Sequence, residues 1–317
     1  MSKAKELIED ISEAKRKRIL TQYTSGGNSH TTVTDTQSAL DAGVYTFNRT
    51  MRGVSIDVVE TKSDKLLRFP DPIHEDIIQE IKDFWEKREK AAEMGFTHKR
   101  GILMYGPPGS GKTCITKLVV EDAIKKDHVV FLAKDMGILS QGLKEFREVE
   151  PDRNALVLME DVDDLVRYGS NTFLELLSGD SQVDNIMYLA TTNYIERLPE
   201  RALRPDRFDR KIEVPHPPAA GRKAFLKQKL GLVEAGKDID VDSLVEKTKG
   251  FSFAHLKELL ISHIVHGYDL DKTIERLGGT GIETAKKFRK MSESVYDSYL
   301  TGQSESKAME LLGELND

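Results

Sequence analysis

A chain of 317 residues is long enough for one α/β core with one or two small appendages. Its net charge of -6 and pI near 5.9 argue against a general nucleic-acid surface, and a mean hydropathy of -0.44 leaves no apolar run able to span a bilayer and no apolar signal core. The single cysteine, Cys114, excludes an internal disulfide, so the expected setting is a reducing cytoplasm without a membrane partner.

Residues 1–20 read as a charged helix with Leu7, Ile8, Ile11 and Ala14 on one side. The run Lys15-Arg16-Lys17-Arg18 fits a solvated helix end favoured by the dipole, with an address or a nucleic-acid contact as the alternative. Residues 21–43 are rich in Thr, Ser, Gly, Asn and Asp and read as a flexible linker. Residues 44–98 read as a small β/helix segment. Val44-Tyr45-Thr46-Phe47 and Val54 to Val59 flank Arg52-Gly53 as a hairpin. A helix starts after Pro72, with Glu75 and Asp76 in its first turn and Ile77, Ile78, Ile81, Phe84 and Trp85 on one face; Trp85 is expected in the core.

From residue 99 to 217, apolar runs at 101–105, 128–133, 155–159, 186–191 and 211–214 alternate with helical patterns. Five such strands imply a parallel sheet in a three-layer α/β core. The first run leads into Gly106-Pro107-Pro108-Gly109-Ser110-Gly111-Lys112-Thr113, a P-loop between strand and helix. Its glycines let backbone N–H groups approach phosphates, the helix N-terminus adds a positive dipole end, Lys112 reaches the outer phosphates, and the Thr113 hydroxyl ligates Mg²⁺. Cys114 beside it reads as a small buried packing residue, with a redox switch as the alternative.

The third run ends in Glu160-Asp161-Val162-Asp163, carboxylates at a strand end where they can hold Mg²⁺ and polarise water. The fourth ends in Asn193, a short amide able to touch the terminal phosphate or simply to make a turn. Four arginines stand in the ten residues from Arg201 to Arg210, in the pattern an arginine finger needs. Prolines 215, 217 and 218 end the sheet; helical patterns follow at 222–230, 241–247 and 253–266 in a lid spanning 218–280, and a helical extension is expected over 281–317.

The order GPPGSGKT, LVLMEDVD, ATTN, RALRPDRFDRKIEV and GFSFAHLKELL resembles the AAA family of ATPases across about residues 70–266. The fold this implies is a three-layer P-loop NTPase with a five-stranded parallel sheet and a small all-α lid. The resemblance makes Lys112 and Thr113 the Walker A lysine and metal ligand. It puts Glu160 and Asp161 in the acidic pair, with Glu160 toward the metal, and Asn193 at sensor 1. Arg204 and Arg207 become fingers acting on a neighbour, and Ala254 joins Gly106 to Cys114 around the nucleotide. It further implies an ATP- and Mg²⁺-dependent hydrolase working as a ring, typically a hexamer, that remodels protein substrates. The rival reading is a nucleotide-gated structural or adaptor ring with slow turnover. A DNA-replication loader is the weaker third.

Three departures from the family pattern carry expectations. The acidic pair is swapped to Glu160-Asp161, which shortens the water-orienting carboxylate and predicts retained but slow hydrolysis. Met136 to Leu143, where a substrate-gripping pore loop is expected, has no aromatic tip, and Leu139 and Leu143 fit core positions of a helix. Asp206 and Phe253 stand where glycines are usual, the first able to pair with a finger arginine, the second crowding the lid. Residues 1–65 differ in character from the core and are expected either to choose clients or to form a disordered tail.

Overall fold

The computed structural model describes residues 22–26, 29–33, 37–51, 53–60, 72–178 and 183–278. The expected helices at 1–20 and 281–317 lie outside these residues. Two strands, β1 (Gln22–Gly26) and β2 (Ser29–Val33), form an antiparallel pair. This departs from the linker reading at residues 22–26 and 29–33, where Tyr23, Thr24, Thr31, Thr32 and Val33 are β-formers.

The main sheet has seven strands in the order β4-β3-β6-β7-β8-β5-β9. These are β3 (Gly43–Thr50), β4 (Gly53–Val58), β5 (Lys99–Tyr105), β6 (Val129–Leu132), β7 (Ala155–Met159), β8 (Ile186–Thr192) and β9 (Arg210–Glu213). The five expected strands form the parallel block β6-β7-β8-β5-β9, found with two strands more. The hairpin β3–β4 is present, but β3 runs parallel to β6, with Val44 opposite Val130, so the hairpin extends the main sheet. Of its inward residues, Phe47 stacks on Phe131 of β6 and Tyr45 packs tilted against the same ring, burial that a free hairpin would not have.

Both faces of the sheet are covered because both sets of alternating side chains are apolar. Ile102, Met104, Leu156, Leu158, Met187 and Leu189 face one helical layer, made of α1 (Pro72–Glu86) and α3 (Lys112–Lys125). In α1, Ile77, Ile81 and Phe84 are buried, each burial worth about 1.5–3 kcal/mol, while Trp85 is half-buried at the edge of that core. A short α2 (Arg88–Glu93) follows α1. Leu103, Val157, Tyr188 and Ala190 face the other layer, α4 (Met136–Val149) and α5 (Val162–Ser178). Only residues 133–135 separate β6 from α4, whose first turn is capped by Asp135 accepting from the Ile138 N–H at 2.8 Å.

The lid contains α6 (Ala219–Leu230), α7 (Val241–Lys247) and α8 (Phe253–Leu260) around their own core, which includes Leu226, Leu244, Leu256 and Leu259. The helix expected over 253–266 changes winding at Ile261–Val265, a π turn in which the His266 N–H donates to the Ile261 carbonyl at 3.2 Å. Among the described residues, no helix is long and apolar enough to cross a membrane.

Candidate functional site

The P-loop fills the turn between β5 and α3, at the C-terminal edge of the parallel block. Gly109 has a left-handed φ of 73°, and a Cβ there would meet the Ser252 hydroxyl and the Ala254 methyl at 2.8 Å. A Cβ on Gly106 would meet the Val214 carbonyl at 2.2 Å. These two positions therefore require glycine for space as well as for conformation. The lid rests directly on the loop: the Phe253 N–H donates to the Gly109 carbonyl at 3.0 Å, and the Phe253 ring lies 3.3 Å from where a Gly111 Cβ would stand. The crowding expected of Phe253 is real, and the ring also packs against Phe225 of α6.

A cavity of about 800 Å³ opens between the P-loop and the lid. Pro108, Gly109, Ser110, Gly111, Lys112, Thr113 and Cys114 line one side, Glu160, Asp161 and Asn193 the end, and Ala254 the lid side. Thus α3, the end of β7 and the end of β8 bring the sequence-predicted residues together. Four of them stand apart: Arg204 and Arg207, and also Gly106 and Pro107, which do not line the cavity but turn their carbonyls to the Lys112 ammonium, at 2.7 and 3.1 Å. Cys114, expected in the core, is half-buried and faces the cavity. One turn along α3, its neighbours Ile115, Leu118 and Val119 take the core positions instead.

Lys112 is the centre of the polar network. Its ammonium also donates to Oδ1 of Asn193 at 2.7 Å, and Nδ2 of the same asparagine donates to Oδ1 of Asp161 at 3.3 Å. Burial pulls the Lys112 pKa down to about 8, partly offset by the nearby Asp161 carboxylate. Asp161 itself has a left-handed φ of 47°, held by its N–H donating to the Thr191 hydroxyl at 3.3 Å. Behind it Asp163 is buried, accepting from the Thr192 hydroxyl at 2.6 Å with Arg197 3.7 Å away. The sequence placed this third acid of Glu160-Asp161-Val162-Asp163 with the carboxylates facing metal and water, whereas its side chain is bound to Thr192 and does not line the cavity.

Four lysines line the cavity, Lys112, Lys117, Lys229 and Lys257, against the two carboxylates Glu160 and Asp161. That balance, the glycine cradle and the buried Ser110 hydroxyl without a partner suit a polyphosphate. The Thr113 hydroxyl and the Glu160 carboxylate are exposed oxygens at its mouth, hard donors of the kind Mg²⁺ takes. Lys229 and Lys257 were missed from sequence because lysines on amphipathic helices look alike until the lid is folded. Beyond them Phe225, Leu230, Ile261 and Ile264 make the rest of the lid wall apolar.

Arg204 and Arg207 do not line this cavity. The Arg207 carbonyl lies 2.0 Å from where a Gly101 Cβ would be, and the Gly101 N–H donates to Asp209 at 2.9 Å. The finger segment therefore sits at the start of β5, while the P-loop follows its end. At ~3.3 Å per residue the two are separated by roughly 13 Å along the strand. Arg204 is exposed, 3.8 Å from Glu200. Arg207 is half-buried and donates to the Ser178 hydroxyl at 2.6 Å and to the Arg201 carbonyl. Asp206 has a left-handed φ of 73° and pairs with Lys99 at 2.9 Å, correcting the expectation that it would pair with a finger arginine. The turn aims its carboxylate back at β5.

Residues 102–216 match the model of the ATPase family associated with various cellular activities, AAA. The chain is 29% identical over 203 residues to an ATP-dependent zinc metalloprotease FtsH of Lachnoclostridium phytofermentans, covering 58% of this chain and 35% of that one. It is 27% identical over 270 residues to the cell division cycle protein 48 homolog of Archaeoglobus fulgidus, covering 75% and 37%. It is 30% identical over 195 residues to proteasome-activating nucleotidase 2 of Haloferax volcanii, covering 55% and 47%. The matched stretches thus span a third to a half of these curated relatives. The His-Glu-x-x-His pattern of a zinc protease does not occur in these 317 residues.

Proposed function

Because residues 102–216 are an AAA ATPase domain, we propose that this chain binds ATP with Mg²⁺ in the cavity between P-loop and lid and hydrolyses it within a ring of copies. The observation that carries the reading is the separation of the Arg207 backbone from its own P-loop by most of the length of β5, with neither Arg204 nor Arg207 lining the cavity, which leaves each site without a finger unless a second copy supplies one. The P-loop N–H groups and Lys112 hold the phosphates, Thr113 and Glu160 hold the metal, and Asp161 with Asn193 orients the attacking water. A bound Mg²⁺ neutralises phosphate charge. The short Asp161 carboxylate supports slow rather than fast turnover. By likeness to the relatives above, the work done is remodelling of a protein substrate, in a hexamer.

A second reading, a nucleotide-gated structural or adaptor ring, is favoured by α4. Where a substrate-gripping loop would stand, the chain passes in three residues from β6 into a helix whose Leu139 and Leu143 are fully buried. Such a segment has no free loop with which to grip a threaded polypeptide. Measuring assembly mass with ATP, ADP and no nucleotide, beside ATP turnover against protein concentration, tests both. Turnover that rises with concentration and is stimulated by a protein substrate supports the remodeler. Assembly driven equally by a non-hydrolysable analogue, without stimulation, supports the scaffold. A single chain of full specific activity overturns the ring.

A further inference from the structure

Among the described residues, the main sheet ends on β4, which is paired with β3 and with no strand on its other edge. Native edge strands are usually guarded by lysine, proline or a covering element. β4 (Gly53–Val58) has no lysine and no proline, and its one charge, Asp57, accepts from the Asn48 amide at 2.6 Å. Val58 is 72% exposed, and Met51 in the turn is fully exposed.

The same chain carries a second unguarded pair of edges. β1 and β2 pair with each other and, among the described strands, with no third. Their ten residues include no lysine, proline, aspartate or glutamate. A two-stranded hairpin alone is marginally stable in water and gains most from a third strand. Its tether lies on the far side of β3 from β4. The Leu40 N–H donates to Glu150 at 2.8 Å and its carbonyl accepts from Arg153 at 3.4 Å, residues at the end of α4 and the start of β7. The chain therefore enters β3 from the β7 side, the side away from its own β4.

We propose that the β1–β2 hairpin of one copy adds to the open edge of β4 in a second copy, so that neighbouring subunits share a continuous sheet. Main-chain hydrogen bonds supply the contact, as in strand addition generally. This rests on the reading that copies assemble, but not on ATP turnover.

Amide hydrogen exchange on the full chain, at concentrations above and below assembly and with mass measured on the same samples, tests it. The expected result is that outward amides of β4 and amides of β1 and β2 slow together, at least tenfold, on assembly. A Ser55→Lys/Asp57→Lys chain, with lysines along the edge, is expected to lose that protection while its core amides stay protected. Assembled rings whose β4 amides exchange as fast as in dilute chains overturn the strand pairing alone. Protection that is equal at both concentrations assigns β4 to its own hairpin and also overturns it. Chains that stay single in every nucleotide state overturn the ring as well.

Discussion

The Lys112 ammonium and the Asn193 amide oxygen lie 2.7 Å apart, and through the other end of that amide the P-loop lysine is linked to Asp161. One asparagine thus bridges the P-loop lysine and the carboxylate proposed to orient water. Asn193→Ala removes the bridge but leaves the glycine cradle, so it should lower kcat by ~10²-fold while shifting the ATP dissociation constant by less than about threefold. Steady-state turnover beside equilibrium binding separates the two effects.

Lys112 also makes binding pH-dependent. With its pKa held at about 8 by burial, it is charged below that pH and neutral above it. Phosphates favour the charged form, so ATP affinity is fully present below about 8 and falls as pH rises beyond, by up to about tenfold per unit. Binding titrations from pH 7 to about 9.5 should show the inflection, and Lys112→Arg should abolish it because a guanidinium keeps its proton there.

The two proposed finger arginines should separate cleanly by stability. Arg207 is bound to Ser178 and to the Arg201 carbonyl, so Arg207→Ala should cost about 1–2 kcal/mol of folding stability along with any loss of turnover. Arg204 makes only a long exposed contact with Glu200, so Arg204→Ala should cost less than about 1 kcal/mol yet reduce turnover by ~10³-fold. Thermal melts and mixing with Lys112→Ala chains check both.

Asp206 occupies a left-handed turn and is held by Lys99 rather than by an arginine. Asp206→Gly relieves the backbone and gives up an ion pair whose aspartate side is exposed and whose lysine side is buried, two terms of about 1 kcal/mol each that nearly cancel. Asp206→Ala keeps the strained turn and loses the pair, and should melt lower than either. Turnover should be unchanged by Asp206→Gly. A large rise would restore the idea that this carboxylate restrains a finger.

Gly142, inside α4, faces the Phe47 ring of β3 so closely that a Cβ would lie 2.3 Å from it. Gly142→Ala should therefore destabilise the chain by about 1–3 kcal/mol despite improving helix propensity, and Phe47→Leu should recover part of the loss. A double-mutant cycle by denaturant melts measures the coupling.

The phosphate cradle, the acidic strand end at Glu160 and the five core strands were all legible in the sequence because each depends on neighbours in the chain. A strand feeding glycines into a helix, or apolar runs punctuated by turns, are local patterns enforced by backbone sterics and burial. Leu139 and Leu143 were likewise readable as helical core. What stayed hidden joins residues far apart in the chain. That β3 runs beside β6, that Lys99 rather than an arginine takes Asp206, that Lys229 and Lys257 turn toward the P-loop, and that α4 lies under Phe47 follow from sheet register and packing. Single residues give no signal for such pairings, since a lysine or a glycine suits many neighbours. The sequence by itself therefore determined a P-loop set between a strand and a helix. Only the tertiary structure decided that Arg207 stands a strand's length from the P-loop of its own chain, because parallel strands place the loops at their two ends at opposite edges of the sheet.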